Sequence, residues 1–238
     1  TGTGDVTFTT TADAIKFATG HILLGDGSNL VVDTGATGGN IEIAEIAGTS
    51  QETVTLDAGT GTTSVGLIGS GTEIGDLSIG SSNNGGITLN GAIVTDGTVL
   101  IDGPITLATG AISITTADDN INLQGTVNGN KALTLASGSG VVTVDGAIGT
   151  GTALTSFTVN STGAGTIEIN DIGTTSASGV TGATAIGNTN TSKITLDGTV
   201  YTTNAATYTA ADGENIDLTG GSTTVSYTHL TLPTILPV

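Results

Sequence analysis

The sequence predicts an all-β chain wound into a right-handed parallel β-helix, a solenoid of about ten coils, and three observations predict it. Near-identical phrases recur far apart: TTADAIKFATG at Thr10–Gly20, TTADDNINLQG at Thr115–Gly125 and TAADGENIDLTG at Thr209–Gly220. Recurrence on that scale marks a stacked repeat. Short Val/Ile/Leu/Thr runs alternate apolar with polar residues, which puts one row of side chains inside and the next in water. The chain holds 39 Gly and 50 Thr, residues that punctuate strands and favour them, and no stretch keeps an apolar stripe of helical period.

Taken along the chain, Val54 and Leu56, Leu133 and Leu135, Ile167 and Ile169, Ile194 and Leu196, and Ile216 and Leu218 are the inward pairs of half-buried strands. A longer alignment lays TVTLDAGTGTTSV at Thr53–Val65 over ALTLASGSGVVTV at Ala132–Val144, and Ile68–Asn90 over Ile148–Asn170. Leu77 then matches Phe157, Ile79 matches Val159 and Leu89 matches Ile169, and these rows are expected to form internal ladders. The second copy carries extra residues, expected as a surface loop over Thr174–Thr191, a Ser/Gly/Thr/Asn tract. Phe8, Phe17 and Phe157 are expected to face the core. With strands about 4.8 Å apart, such a rod is on the order of 50 Å long. Each inward aliphatic contributes roughly 1.5–3 kcal/mol, enough in sum to dispense with disulfides or metal.

Residues 1–224 read as one β-helical domain belonging to a longer protein, with 225–238 as a foreign tail. That tail, VSYTHLTLPTILPV, holds two of the three prolines and breaks the pattern. Its first ten residues are what one frame of a transposase-type sequencing adapter encodes, GTC TCT TAT ACA CAT CTG ACG CTG CCG ACG. Tyr227, His229 and Pro233 accordingly receive no functional weight.

Composition excludes several classes. With 21 acidic residues against Lys16, Lys131 and Lys193, no Arg and a net charge of −18, the chain lacks the clustered cations that nucleic acid or anionic lipid requires. No apolar run approaches a membrane span, so no membrane insertion is expected within this segment. The absence of Cys excludes thiolate metal sites and disulfides.

Candidate chemistry is sparse. His21, at the head of the strand-like HILLGD, is the one histidine outside the tail and the only candidate general base of its type, and it has no partner motif for nucleophilic catalysis. Asp118 with Asp119, and Glu168 with Asp171, are the densest acidic spots; glycoside hydrolysis needs two carboxylates converging in one cleft, and neighbouring strand residues point to opposite faces. Asp26-Gly27-Ser28-Asn29 and Asp118-Asp119-Asn120 offer oxygen donors to Ca²⁺, yet match no EF-hand or nonapeptide array. Weak calcium binding stays open, while no catalytic, cofactor-binding or metal residue is assigned. Outward threonines such as Thr53, Thr55, Thr158 and Thr195 alternate with other residues too irregularly for an ice-binding face.

Lys131–Asn170, KALTLASGSGVVTVDGAIGTGTALTSFTVNSTGAGTIEIN, and Thr202–Gly221, TTNAATYTAADGENIDLTGG, resemble the repeat regions of large bacterial exoproteins, the filamentous-haemagglutinin-like and autotransporter passengers. That resemblance implies a rod secreted or displayed at the bacterial surface, serving as a structural or adhesive stalk toward a host, matrix or cell-surface ligand, without catalysis or cofactor. The alternative is a β-helical carbohydrate-active enzyme working through Asp and Glu carboxylates.

Overall fold

The computed structural model describes residues 4–49, 51–80, 85–221 and 224–226. Of the segment 225–238, expected from sequence to be a foreign tail, residues 227–238 lie outside the described residues. Every described element is a strand, two to nine residues long, and the strands join in two sheets of ten and fourteen members. Strand pairing is parallel and each partner lies one coil ahead, so the chain is a β-solenoid.

The ten-stranded sheet shows the stacking most plainly. Val6, Leu30, Val54, Leu77, Val99, Ile121, Val142, Ile167, Ile194 and Ile216 lie in register, one above the next. Their separations run from 21 residues (Ile121 to Val142) to 27 residues (Ile167 to Ile194). Ten levels enclose nine turns, close to the expected ten coils, and nine steps of about 4.8 Å make a stack about 43 Å long. The fourteen-stranded sheet bends along its length and supplies two columns. One column carries the ladder Ile22, Ile46, Ile68, Ile93, Ile114, Leu135, Val159, Ile186 and Tyr208. These rows interleave into one continuous core of Ile, Leu and Val.

The ladders are not the ones the long alignment implies. Val54 lies on the ten-stranded sheet and Leu133 on the fourteen-stranded one; the same crossing separates Leu77 from Phe157, Ile79 from Val159 and Leu89 from Ile169. All eight are buried in the shared core. An offset near 79 residues is about three and a half turns, so the alignment matches strand-turn-strand units from opposite halves of the coil. The resemblance is one of local chemistry, since both halves need an inward apolar pair followed by a tight turn.

Thr174–Thr191 is also not a plain loop. Its centre is the strand Val180–Ile186, with Val180, Thr184 and Ile186 buried and a register shift between Val180 and Ala183 that absorbs an extra residue. Among the aromatics, Phe157 is fully buried. Phe8 and Phe17 occupy inward ladder positions but belong to the first coil, where Phe8 stays 40% exposed and packs edge-on against Phe17 with ring centroids 5.1 Å apart.

Candidate functional site

The turns bring the polar residues together, and their geometry follows from the coil. A parallel solenoid leaves backbone N–H groups at each corner with no strand partner, and buried or crowded donors need one. Asp and Asn side chains from the coil below supply it. Asn29 Oδ1 accepts from the Thr53 N–H at 2.8 Å, Asn40 Oδ1 from Thr62 at 3.0 Å and Asp76 Oδ1 from Thr98 at 2.7 Å. Asp118 Oδ1 accepts from both the N–H and the hydroxyl of Ser139 at 2.9 Å, and Asn120 Oδ1 accepts from Val141 at 2.8 Å. Asn128 Oδ1 takes the N–H groups of Gly151 and Thr152, and Asp171 Oδ1 those of Thr199 at 2.6 Å and Val200 at 2.8 Å.

One carboxylate of each acidic pair singled out from sequence, Asp118 and Asp171, is drawn into this system. The Ser139 N–H, and then its hydroxyl, hold the exposed Asp118 carboxyl below its ordinary value, and Asp119 offers its backbone carbonyl to the Thr116 hydroxyl at 2.5 Å. Glu168 stands on the outer face between Thr143 and Thr195, whereas the Asp171 carboxylate turns to the next coil. Of the calcium-type donors, Asn29 is engaged on both sides, accepting from Thr53 and donating from Nδ2 to Asp5 Oδ1 at 2.9 Å. His21 is exposed, with Nδ1 2.6 Å from Glu45 Oε2. Asp145 behaves differently, because partial burial and then the nearby Asp197 charge raise its carboxyl above the ordinary value. Outward Thr55 lies between Val31 and Ser78, and Thr158 between Thr134 and Ala185, so the threonine rows are mixed.

Sequence reasoning missed a cleft of about 320 Å³ on the outer face of the bent sheet. It opens where Thr62–Ile68 passes from one column to the other, and Glu42, Ala44, Ser64, Gly66, Leu67 and Asn90 line it. Gly66 is required at the bend, since a Cβ there would sit 2.0 Å from the Ala44 carbonyl oxygen. Leu67 is 42% exposed, and the rim groups bond one another: Lys16 Nζ to Glu42 Oε2 at 3.1 Å, and Asn90 Nδ2 to Ser64 Oγ at 3.0 Å. The cleft therefore presents an aliphatic wall beside a satisfied polar rim, suited to shallow contact. No sequence period announces it, because the bend depends on which of two columns each half-strand joins.

Among the described residues no group of three or more His, Cys, Asp or Glu side chains is placed to hold a metal ion, and no helix is long and apolar enough to cross a membrane. Comparison with protein-family models, with curated proteins and with solved structures found no match.

Proposed function

We propose that this chain is a structural, adhesive stalk segment of a bacterial exoprotein, secreted or displayed at the outer surface, and that it does not catalyse a reaction. The observation that best supports this reading is the use made of the polar turns. Asp76, Asp118 and Asp171, the carboxylates best placed at corners, accept hydrogen bonds from the next coil and thereby hold the rod together. An active site needs carboxylates whose free energy is directed at substrate. A stalk needs uniform coil-to-coil bonding and exposed turns free to vary, which is where contact with a host, matrix or cell-surface ligand falls.

The test is to display the chain on a bacterium that does not adhere by itself and measure attachment to matrix-coated surfaces. Reducing-end release from a polysaccharide panel is measured alongside. Attachment without release supports the stalk; release that disappears in Asp118→Asn or Asp171→Asn chains that still fold overturns it in favour of the enzyme.

A further inference from the structure

The arches that return from the bent sheet to the ten-stranded sheet carry the chain's two Asn-x-Ser/Thr triplets, Asn160-Ser161-Thr162 and Asn190-Thr191-Ser192. Such a triplet accepts N-linked sugar only where a transferase reaches both the amide nitrogen and the hydroxyl two residues on. The two triplets sit in successive coils and touch, yet they differ in what is free.

Asn160 is exposed at the end of the strand Ser156–Asn160. Its Oδ1 accepts from Asn188 Nδ2 at 3.0 Å, and among the described residues no hydrogen bond engages its own Nδ2. Thr162 is exposed and, among the described residues, offers only its backbone carbonyl to a neighbour, which leaves its hydroxyl open. Between them the buried Ser161 anchors the arch, its hydroxyl donating to the Gly138 carbonyl at 3.0 Å. The triplet is thus clamped at its centre and open at both reactive ends. In the second triplet, Asn190 Nδ2 donates to the Thr162 carbonyl at 3.0 Å, and the Ser192 hydroxyl donates to the Ala164 carbonyl at 2.8 Å. Thr191 is fully buried, and its hydroxyl accepts from the Asn188 N–H at 3.0 Å.

We infer that Asn160 is an N-glycosylation acceptor in the folded chain and that Asn190 is not. In the reaction Asn160 Nδ2 loses a proton and bonds to the anomeric carbon of a nucleotide-activated sugar, while the nucleoside diphosphate leaves with the bonding pair; nothing is oxidised or reduced. The surface-stalk reading supplies only the setting in which chain and transferase meet. The chemistry stands or falls separately.

The test incubates the folded full chain with UDP-glucose and a soluble N-glycosyltransferase that reads Asn-x-Ser/Thr, alongside synthetic peptides covering 156–166 and 186–196. Mass spectrometry locates the added hexose. Both peptides are expected to be modified. In the folded chain, occupancy of Asn160 is expected to exceed that of Asn190 by at least about tenfold, because exposing Asn190 and Ser192 breaks hydrogen bonds that Asn160 and Thr162 never made. Asn160→Gln and Thr162→Val each abolish the folded-chain signal. Equal occupancy at Asn190, or an unmodified Asn160 in either the peptide or the folded chain, overturns the inference. Neither result bears on attachment or reducing-end release.

Discussion

Glu52 has no exposed surface, although it sits in the turn between the strands Ile41–Ala47 and Val54–Asp57. One carboxylate oxygen accepts from the Thr49 N–H at 2.6 Å and the other from the Thr49 hydroxyl. Burial pushes this carboxyl up, but the bonds from Thr49 and from the N–H groups of Gln51 and Glu52 outweigh it, leaving it below its ordinary value of 4.5. The folded protein therefore holds this proton less tightly than the unfolded chain does. Its stabilisation is complete above pH 4.5 and is lost as pH falls through the lower folded value. Glu52→Gln is expected to lose about 1–3 kcal/mol at neutral pH, measured by urea unfolding, and to differ least from the parent in acid. An equal loss at both pH values would mean that shape, not charge, matters at this position. The spacing Thr49 to Glu52 is that of a capping box, a sequence signal for reciprocal local bonding. What the sequence could not reveal is burial, since an acidic residue in a polar turn reads as solvated.

At the scale of strands and corners, one glycine column explains a phrase that recurs along the chain. Ile101-Asp102-Gly103, Leu123-Gln124-Gly125, Val144-Asp145-Gly146, Leu196-Asp197-Gly198 and Leu218-Thr219-Gly220 all end strands of the ten-stranded sheet. At these corners successive backbones approach so closely that a Cβ on Gly125 would lie 1.9 Å from the Gly103 carbonyl oxygen, and one on Gly146 2.0 Å from that of Gly125. Gly146→Ala is expected to cost about 1–3 kcal/mol in a thermal or urea melt. Gly25→Ala, where the nearest atom is 3.9 Å away, is expected to cost far less. Equal costs would remove close approach as the reason for the column. Strand existence and inward rows were legible because alternation in Ile194-Thr195-Leu196 or Ile216-Asp217-Leu218 leaves one face apolar. Register was not, because both halves of a coil obey that same rule, and a Leu133 looks locally like a Val54 three and a half turns away. The strand within Thr174–Thr191 escaped for the opposite reason: Val180, Thr184 and Ile186 are its inward residues, too few apolar groups among Gly, Ala and Thr to signal alternation.

Over the whole molecule, a charge of −18 is carried by a rod in which, among the described residues, two lysine–carboxylate pairs form: Lys16 with Glu42 and Lys193 with Asp217. Exposed pairs of this kind contribute little, so mutual repulsion of carboxylates is the larger electrostatic effect. Added salt screens it, with a Debye length near 8 Å at about 0.15 M. The melting temperature is expected to rise by several degrees between low-salt buffer and about 0.15 M NaCl. A fall would show that ion pairing, not repulsion, dominates. Acidity and the poverty of Lys were legible from composition alone. The cleft and the bonding between coils were not, because both depend on residues 21 to 29 positions apart meeting on successive coils, as Asp118 meets Ser139 and Asp171 meets Val200.

The stacking that underlies all of this is tested most directly by cross-linking, because the chain has no cysteine of its own. Thr134 and Thr158 are in-register neighbours on the outer face of the bent sheet, whereas Thr55 and Thr134, which the long alignment would equate, lie on different sheets. Adjacent parallel strands place such Cα atoms about 5 Å apart, within disulfide range. The double variant Thr134→Cys/Thr158→Cys is expected to form an intramolecular disulfide under mild oxidation, and Thr55→Cys/Thr134→Cys to remain reduced. The reverse pattern, or no disulfide in the first variant while the chain is folded, would contradict the solenoid register.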